Sequence, residues 1–236
     1  MTETETAQSE TIDWDEFWTG TDDATDGHAN PSARHVVDVL PAFFDARGVP
    51  GSVADVGCGA GVVAFDLARR YPDATVVGYD AAETVLAENR ARARDRGLDN
   101  LAFERAVLPD FPDREFDAVF SYFTLPYVAD PERALRNMYD AVAPGGDLVF
   151  NYHNRYAMAH WRRMAADPDE FFGEDSAFDR DRFEDRFRLL LDSENHLSYE
   201  KIHDALGTWP QSVWSVVDRP DKRWAWNHFP LVFVPK

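Results

Sequence analysis

One short run suits the holding of a charged ligand: Asp55-Val56-Gly57-Cys58-Gly59-Ala60-Gly61 stands where an apolar, strand-like segment gives way to a helical period. Glycines there permit a tight turn and let backbone N–H groups approach a ligand closely, and a helix N-terminus adds partial positive charge. A second carboxylate, Asp80, ends Val76-Val77-Gly78-Tyr79-Asp80, 23 residues after Gly57, where it can accept hydrogen bonds from a ligand held by the loop. Both acids have a plainer reading as turn or helix caps. His153 in Asn151-Tyr152-His153-Asn154 and Tyr127 beyond Phe116–Tyr122 each follow a strand-like run, where open α/β sheets bind ligands. That position makes them candidates for proton transfer, against the simpler readings of a core histidine and a pocket wall.

These residues need a scaffold, and from Gly51 the chain alternates short apolar runs with helical periods, the pattern of βαβ units on a parallel sheet. Strands are predicted over Ser52–Val56, Thr75–Tyr79, Leu101–Glu104, Phe116–Tyr122 and Asp147–Tyr152. Between them lie helices over Val62–Tyr71, up to Arg96 with Gly97 as stop, and from Pro131 with Asp130 as N-cap, ending at Pro144-Gly145-Gly146. Upstream, Trp14, Phe17 and Trp18 recur at helical spacing, as a cover over the ligand or a satellite core; after the loop Gly20–Asn30, a second helix runs from Pro31 to Gly48. Downstream, the βα rhythm breaks over Arg155–Leu206, rich in Arg, Asp, Phe and Trp, with Ser198 capping Leu197–Leu206; strand-like Ser212–Val217 and Phe229–Val234, joined by the turn-rich Asp218–Arg223, close the chain. The expected organisation is a disordered tail over 1–11 and one domain over 12–236. Within it are a helical cover (12–50), a ligand-binding core (51–154), a helical insertion or lid (155–206) and a C-terminal strand hairpin (207–236).

The chain has 236 residues, 44% hydrophobic and 14% aromatic, enough for a core. Apolar runs such as Val62–Phe65 and Leu189–Leu191 are far short of the ~18 residues a membrane span needs, and the start MTETETAQSE has no basic and apolar signal region, so a cytoplasmic location is expected. Cys58 is the single cysteine, which excludes a disulfide framework and multi-cysteine metal centres; it reads as a small turn residue. The net charge is −19, from 29 Asp and 14 Glu against 21 Arg and only Lys201, Lys222 and Lys236. An Asp-rich, Lys-poor surface resembles that of proteins from salt-loving archaea, and so strong a negative field argues against a nucleic-acid partner.

The loop's spacing also separates ligands. The dinucleotide fingerprint G-x-G-x-x-G read from Gly57 needs Gly or Ala at position 62, where Val62 stands, which disfavours a nicotinamide-dependent oxidoreductase. An acidic residue two before the first of several alternate glycines resembles instead the class I S-adenosylmethionine-dependent methyltransferases. Asp80, Phe116-Asp117-Ala118-Val119, the Pro144-Gly145-Gly146 turn and Ser198-Tyr199-Glu200-Lys201-Ile202 are similar to that family's segments in their usual order. The resemblance implies a Rossmann-like, doubly wound seven-stranded sheet, mostly parallel with an antiparallel last strand, and S-adenosyl-L-methionine as cofactor. It implies cofactor contacts from Gly57, Cys58, Gly59 and Gly61, with the glycines beneath the methionine part; Asp55 would orient the ammonium group, Asp80 take the ribose and Ala81 lie beside the adenine. Phe103 to Pro109 departs from the family's pattern, so either Glu104 meets the adenine amino group or Ala106 and Val107 contribute backbone; Ser121 and Tyr122 would line the methyl-transfer end.

The implied reaction is transfer of a methyl group by in-line displacement to a small-molecule acceptor, resting on positioning and water exclusion. An Asn/Asp-Pro-Pro-aromatic turn is absent from Ser121 to Tyr127, a catalytic cysteine is absent outside the loop, and Asp130 is the only acid in Ser121–Asp130, so base methylation and metal-dependent chemistry are not expected. A competing possibility is a protein that binds S-adenosylmethionine for regulation or interaction without transferring the methyl group.

Overall fold

The structure, a computed structural model, describes residues 11–19, 33–171, 182–227 and 229–236. Its core is a seven-stranded sheet in the order β3-β2-β1-β4-β5-β7-β6. The strands are β1 Ser52–Val56, β2 Thr75–Asp80, β3 Leu101–Arg105, β4 Phe116–Ser121, β5 Val142–Asn151, β6 Gln211–Ser212 and β7 Leu231–Pro235. β1 to β5 run parallel, and β7 is antiparallel to both β5 and β6. The strand order reverses between β1 and β4, and this topological switch opens a crevice beyond their carboxyl ends.

Successive residues of each strand face opposite sides, so the sheet has two buried faces. Val53, Val76, Phe120 and Val149 pack against α2 (Ala33–Arg47) and α3 (Val62–Arg70). Ala54, Val77, Val119 and Leu148 pack under α5 (Pro131–Asp140). The remaining main helices are α1 (Trp14–Thr19), α4 (Glu83–Asp95) and α6 (Arg155–Ala166). Short helices α7 (Pro168–Phe171), α8 (Phe183–Arg186) and α9 (Arg188–Leu191) precede α10 (Tyr199–Leu206) and α11 (Pro220–Arg223). No helix among the described residues is long and apolar enough to cross a membrane.

The expected caps form. Asp130 Oδ1 accepts from Arg133 N–H at 2.9 Å, and Ser198 Oγ from Lys201 N–H at 3.2 Å. Asn154 also caps α6, accepting from Tyr156 and Ala157 N–H at 2.9 and 3.1 Å. The expected helical stretch 155–206 divides in two. α10 lies against α5, with Ile202 in the sheet's second face, whereas α6, α8 and α9 gather around a separate cluster of Phe123, Trp161, Phe183, Phe187 and Leu190. The Gly20–Asn30 loop, Pro31, Phe172, Phe178, His228 and nearly all of the 1–11 tail lie outside the described residues.

Several boundaries differ from expectation. α5 stops at Asp140, and Pro144-Gly145-Gly146 falls inside β5, where the register jumps from Phe116↔Val142 to Ala118↔Asp147. Crowding explains the bulge: a Cβ at Gly146 would stand 2.3 Å from Asp117 O. The strand expected over Ser212–Val217 pairs only at Gln211–Ser212 and then tightens into a helical turn at Val213–Ser215, closed by Ser215 Oγ donating to Ser212 O at 2.7 Å. The last strand starts at Leu231 rather than Phe229, because Pro230 has no N–H for the ladder, and Pro220 opens α11 within the expected turn.

The end of α3 hangs on one side chain. Asn100 Nδ2 donates to the carbonyls of Ala68, Tyr71 and Ala74 at 3.0, 3.3 and 3.0 Å. Asn100→Ala leaves these carbonyls without that donor, and denaturant titration is expected to show a loss of about 1–3 kcal/mol in unfolding free energy.

Candidate active site

β1 leaves the sheet at Val56, and the next residues curl left-handed, with φ of +75° at Gly57, +47° at Gly59 and +76° at Gly61. Gly57 and Cys58 N–H donate to Tyr79 O at 2.7 and 2.9 Å, which ties the loop to β2. A Cβ on Gly57 would stand 2.0 Å from Thr124 Oγ1, and one on Gly59 2.8 Å from the Trp18 ring, so neither position takes a side chain. Gly61 serves otherwise: it precedes α3 and faces the rings of Phe65 and Phe103, off the cavity wall.

Two carboxylates border the same cavity. Asp55, at the end of β1, is 3% exposed and accepts from Ala64 N–H at 3.2 Å. Burial pushes its carboxyl up to about 7 against that hydrogen bond, with the charge of Asp80 adding to the rise. Asp80, half-buried at the lip, accepts from Gly59 N–H at 2.8 Å and Ala82 N–H at 3.0 Å; burial raises its pKa and these donors oppose the rise. Each acid is thus both a backbone cap and a wall of the cavity.

The cavity encloses about 160 Å³ and opens to solvent at its mouth. Cys58, Ala81, Ala106, Val107, Tyr122 and Tyr127 line it with Asp55, Gly57, Gly59 and Asp80. Ala106 N–H donates to Asp80 O at 3.0 Å, which brings the chain after β3 beside the loop. Trp14 and Trp18 join the wall from α1, where Trp18 also packs on Ala82 and Val85, so the helix is cover and satellite core together. α1 is held by Asp15 Oδ1, which accepts from Thr84 N–H at 2.8 Å and Oγ1 at 2.7 Å, and by Glu16 paired with Arg182 at 2.8 Å. Trp14 meets the Tyr127 ring at 4.6 Å, and the Tyr127 hydroxyl accepts from Arg186 Nε at 3.1 Å while burial raises its pKa.

Other expected residues stand elsewhere. Glu104 is exposed at the β3 edge and paired with Arg114 at 3.3 Å, leaving Ala106 and Val107 on the cavity. Ser121 Oγ is buried and donates to Val56 O at 3.1 Å, locking β1 to β4 behind the wall. His153 follows β5 as expected, yet its ring is 3% exposed among Phe123, Phe229 and Trp161, at 5.0, 5.3 and 5.9 Å, off the cavity wall. Burial pushes it down to about 3. Sequence reading missed Phe123, Thr124, Leu108 and Val128, which line the cavity; the signal available was their place after β3 and β4, on the rim that carries Tyr122.

The sheet order, the glycine loop at the switch point and the acid ending β2 define a Rossmann-like methyltransferase fold. The plantazolicin methyltransferase BpumL, solved with S-adenosylhomocysteine, shares it with a TM-score of 0.62 at 12% identity over 99% of this chain and 96% of that one. Residues 53–146 match the family model described as methyltransferase domain. The trans-aconitate 2-methyltransferase of Deinococcus radiodurans is 31% identical over 164 residues, 64% of this chain and 59% of the relative. The demethylmenaquinone methyltransferase of Thermus thermophilus is 43% identical over 101 residues, 42% and 46% of the two chains. Over residues 53–146 the chain is thus similar to methyltransferase domains, and its matches span about half the length of these curated relatives.

Asp55 gives this site a pH signature. Its folded pKa, about 7, lies above the unfolded carboxylate value, so its contribution to stability is complete below pH ~4 and is lost as pH rises through about 7. Thermal melts at pH 5 and pH 8 are expected to show a loss of stability in the native chain that shrinks in Asp55→Asn; an equal loss in both would contradict the assignment.

Proposed function

We propose that the protein is an S-adenosylmethionine-dependent methyltransferase acting on a small-molecule acceptor. The observation that carries this is the glycine cradle at the switch point, where a Cβ on Gly57 would lie 2.0 Å from Thr124 and the buried Asp55 and half-buried Asp80 border the same cavity. A ligand with a cationic group and a diol fits that set of donors and acceptors. When bound, S-adenosylmethionine supplies a methyl group activated on a sulfonium sulfur.

The chain's own part is binding, orientation and exclusion of water. Gly57, Cys58 and Gly59 offer close backbone, and Asp55 gains a counter-ion in the ligand's ammonium group, which relieves the burial of its charge. Asp80 exchanges one of its backbone hydrogen bonds for the ribose hydroxyls. Ala81, Ala106 and Val107 flank the adenine without a side-chain acid, and Tyr122, Phe123 and Tyr127 keep the acceptor end apolar and dry. Similarity to trans-aconitate and demethylmenaquinone methyltransferases supports a small-molecule acceptor. The −19 charge and the near absence of lysine support a cytoplasm at molar salt, where screening relieves carboxylate repulsion.

Calorimetric titration in molar KCl tests the reading. S-Adenosylmethionine and S-adenosylhomocysteine are expected to bind saturably, Asp80→Ala to weaken both at least about tenfold, and NAD not to bind. Failure of both sulfur nucleosides to bind the folded protein would overturn it, and binding without methyl transfer to any acceptor in a cell extract would favour the regulatory alternative. The surface charge adds a second expectation: the melting temperature rises as KCl goes from 0.1 to 2 M, and a flat or falling curve would remove the halophilic reading.

A further inference from the structure

The end of β5 buries two polar side chains whose hydrogen-bonding capacity is not used. Asn151 is 1% exposed; its Oδ1 accepts the Phe123 N–H at 2.6 Å, and its Nδ2 has no partner among the described residues. His153, two residues on and 3% exposed, has no partner at Nδ1 or Nε2 among the described residues. Buried polar atoms are nearly always paired, so two adjacent exceptions call for a ligand that would pair them. Both sit against one residue, Phe123, whose backbone is held by Asn151 and whose ring lies 5.0 Å from the imidazole.

Phe123 carries the second observation. Its φ is +58°, a conformation a bulky side chain adopts only when its surroundings impose it, and such strain gathers at ligand clamps and gates. The residue lines the cavity on one side and belongs to the insertion's cluster on the other, so it is the partition between them. Behind it the rings form a packed apolar cluster: Trp161 stacks on Phe187 at 4.3 Å and lies 5.7 Å from Phe183, with Phe229 5.3 Å from His153.

We propose that the packed cluster behind Phe123 opens as the acceptor subsite, and that it takes a small, flat, uncharged hydroxyl compound of the phenol class, its hydroxyl held by His153 and Asn151. The proposal rests on the methyltransferase reading, whose acceptor it specifies. Burial keeps the imidazole neutral at pH 7, with one donor and one acceptor nitrogen. A hydroxyl matches the pair: its hydrogen goes to the imidazole nitrogen and its oxygen receives the Asn151 Nδ2–H. A charged carboxylate or amine would enter this ring-lined space without a counter-ion from either residue. Asn151 holds the Phe123 N–H through Oδ1, which leaves its Nδ2–H for the acceptor.

Phenol and toluene, equal in shape and different in the hydroxyl, are the probes. In molar KCl with saturating S-adenosylhomocysteine, the native chain is expected to bind phenol at least tenfold more tightly than toluene by calorimetry. His153→Leu removes the preference, and Phe123→Gly, which suits a positive φ, strengthens phenol binding at least tenfold. Equal binding of the two probes, or a preference that survives His153→Leu, overturns the proposal. Should that variant not fold, nitrogen NMR of the unmutated chain decides: phenol and not toluene shifts the His153 ring resonances, and no shift overturns it. S-Adenosylhomocysteine affinity, measured in the same cell, keeps the failures apart. Nucleoside binding with no phenol effect sinks this subsite alone. A phenol shift without nucleoside binding supports phenol binding at His153 and sinks the methyltransferase reading that gives it its role.

Discussion

β1 and β4 end side by side, and the chains that leave them come so close that Gly57 has no room for a single methyl group beside Thr124. Two hydroxyls fix this approach, Ser121 Oγ and Thr124 Oγ1, each donating to Val56 O at 3.1 Å. The remaining features of the site follow from that closure. Without a Cβ, the loop turns left-handed and exposes its backbone; Asp55, one residue before the bonded carbonyl, is buried at the cavity wall; and Phe123, one residue before Thr124, is held at positive φ. A crevice at a topological switch is a property of the strand order, but its lining here is set by two hydroxyls and one missing side chain.

How much of this the sequence discloses depends on the range of the interaction that decides each feature. Strands β1, β2 and β4 and their helices are legible because period-two and helical runs are bounded by Gly and Pro, and because Asp130 and Ser198 cap locally. The loop and Asp80 are legible for the same reason: a short-range spacing fixes them. Features decided by contacts far along the chain are not. The bulge in β5 answers to Asp117 on a neighbouring strand, and the brevity of β6 to a turn that carries Val213 into the core. His153 illustrates the limit, since its place after β5 is readable but the direction of its ring is set by Phe123, thirty residues earlier, and by Phe229. Glu104 fails for a simpler reason: alternation along β3 turns it to solvent, where Arg114 pairs with it.

The cover and the insertion are one assembly rather than two appendages. α1 is pinned on one side to α4 through Asp15 and on the other to the insertion through Glu16 and Arg182. Exposed ion pairs are worth ~0–1 kcal/mol and weaken in salt, so the rings carry most of this contact. The Arg186 guanidinium, 5% exposed, lies 5.0 Å over Phe17 and 5.7 Å over Trp14, and Trp14 reaches Tyr127 on the cavity wall. A protein with so few lysines and so many carboxylates joins α1 to α8 largely through aromatic faces, which salt screens less than exposed ion pairs.

Trp14 and Trp18 stand on the cavity wall while the other indoles described lie away from it, Trp209 and Trp224 in solvent and Trp161, Trp214 and Trp226 against packed clusters. Occupancy of the cavity is therefore written into the light the protein emits. A guest that displaces water from the two indoles of α1 alters their surroundings directly, and the remaining fluorophores form a nearly constant background. The chain carries a built-in optical reporter at the mouth of its own site.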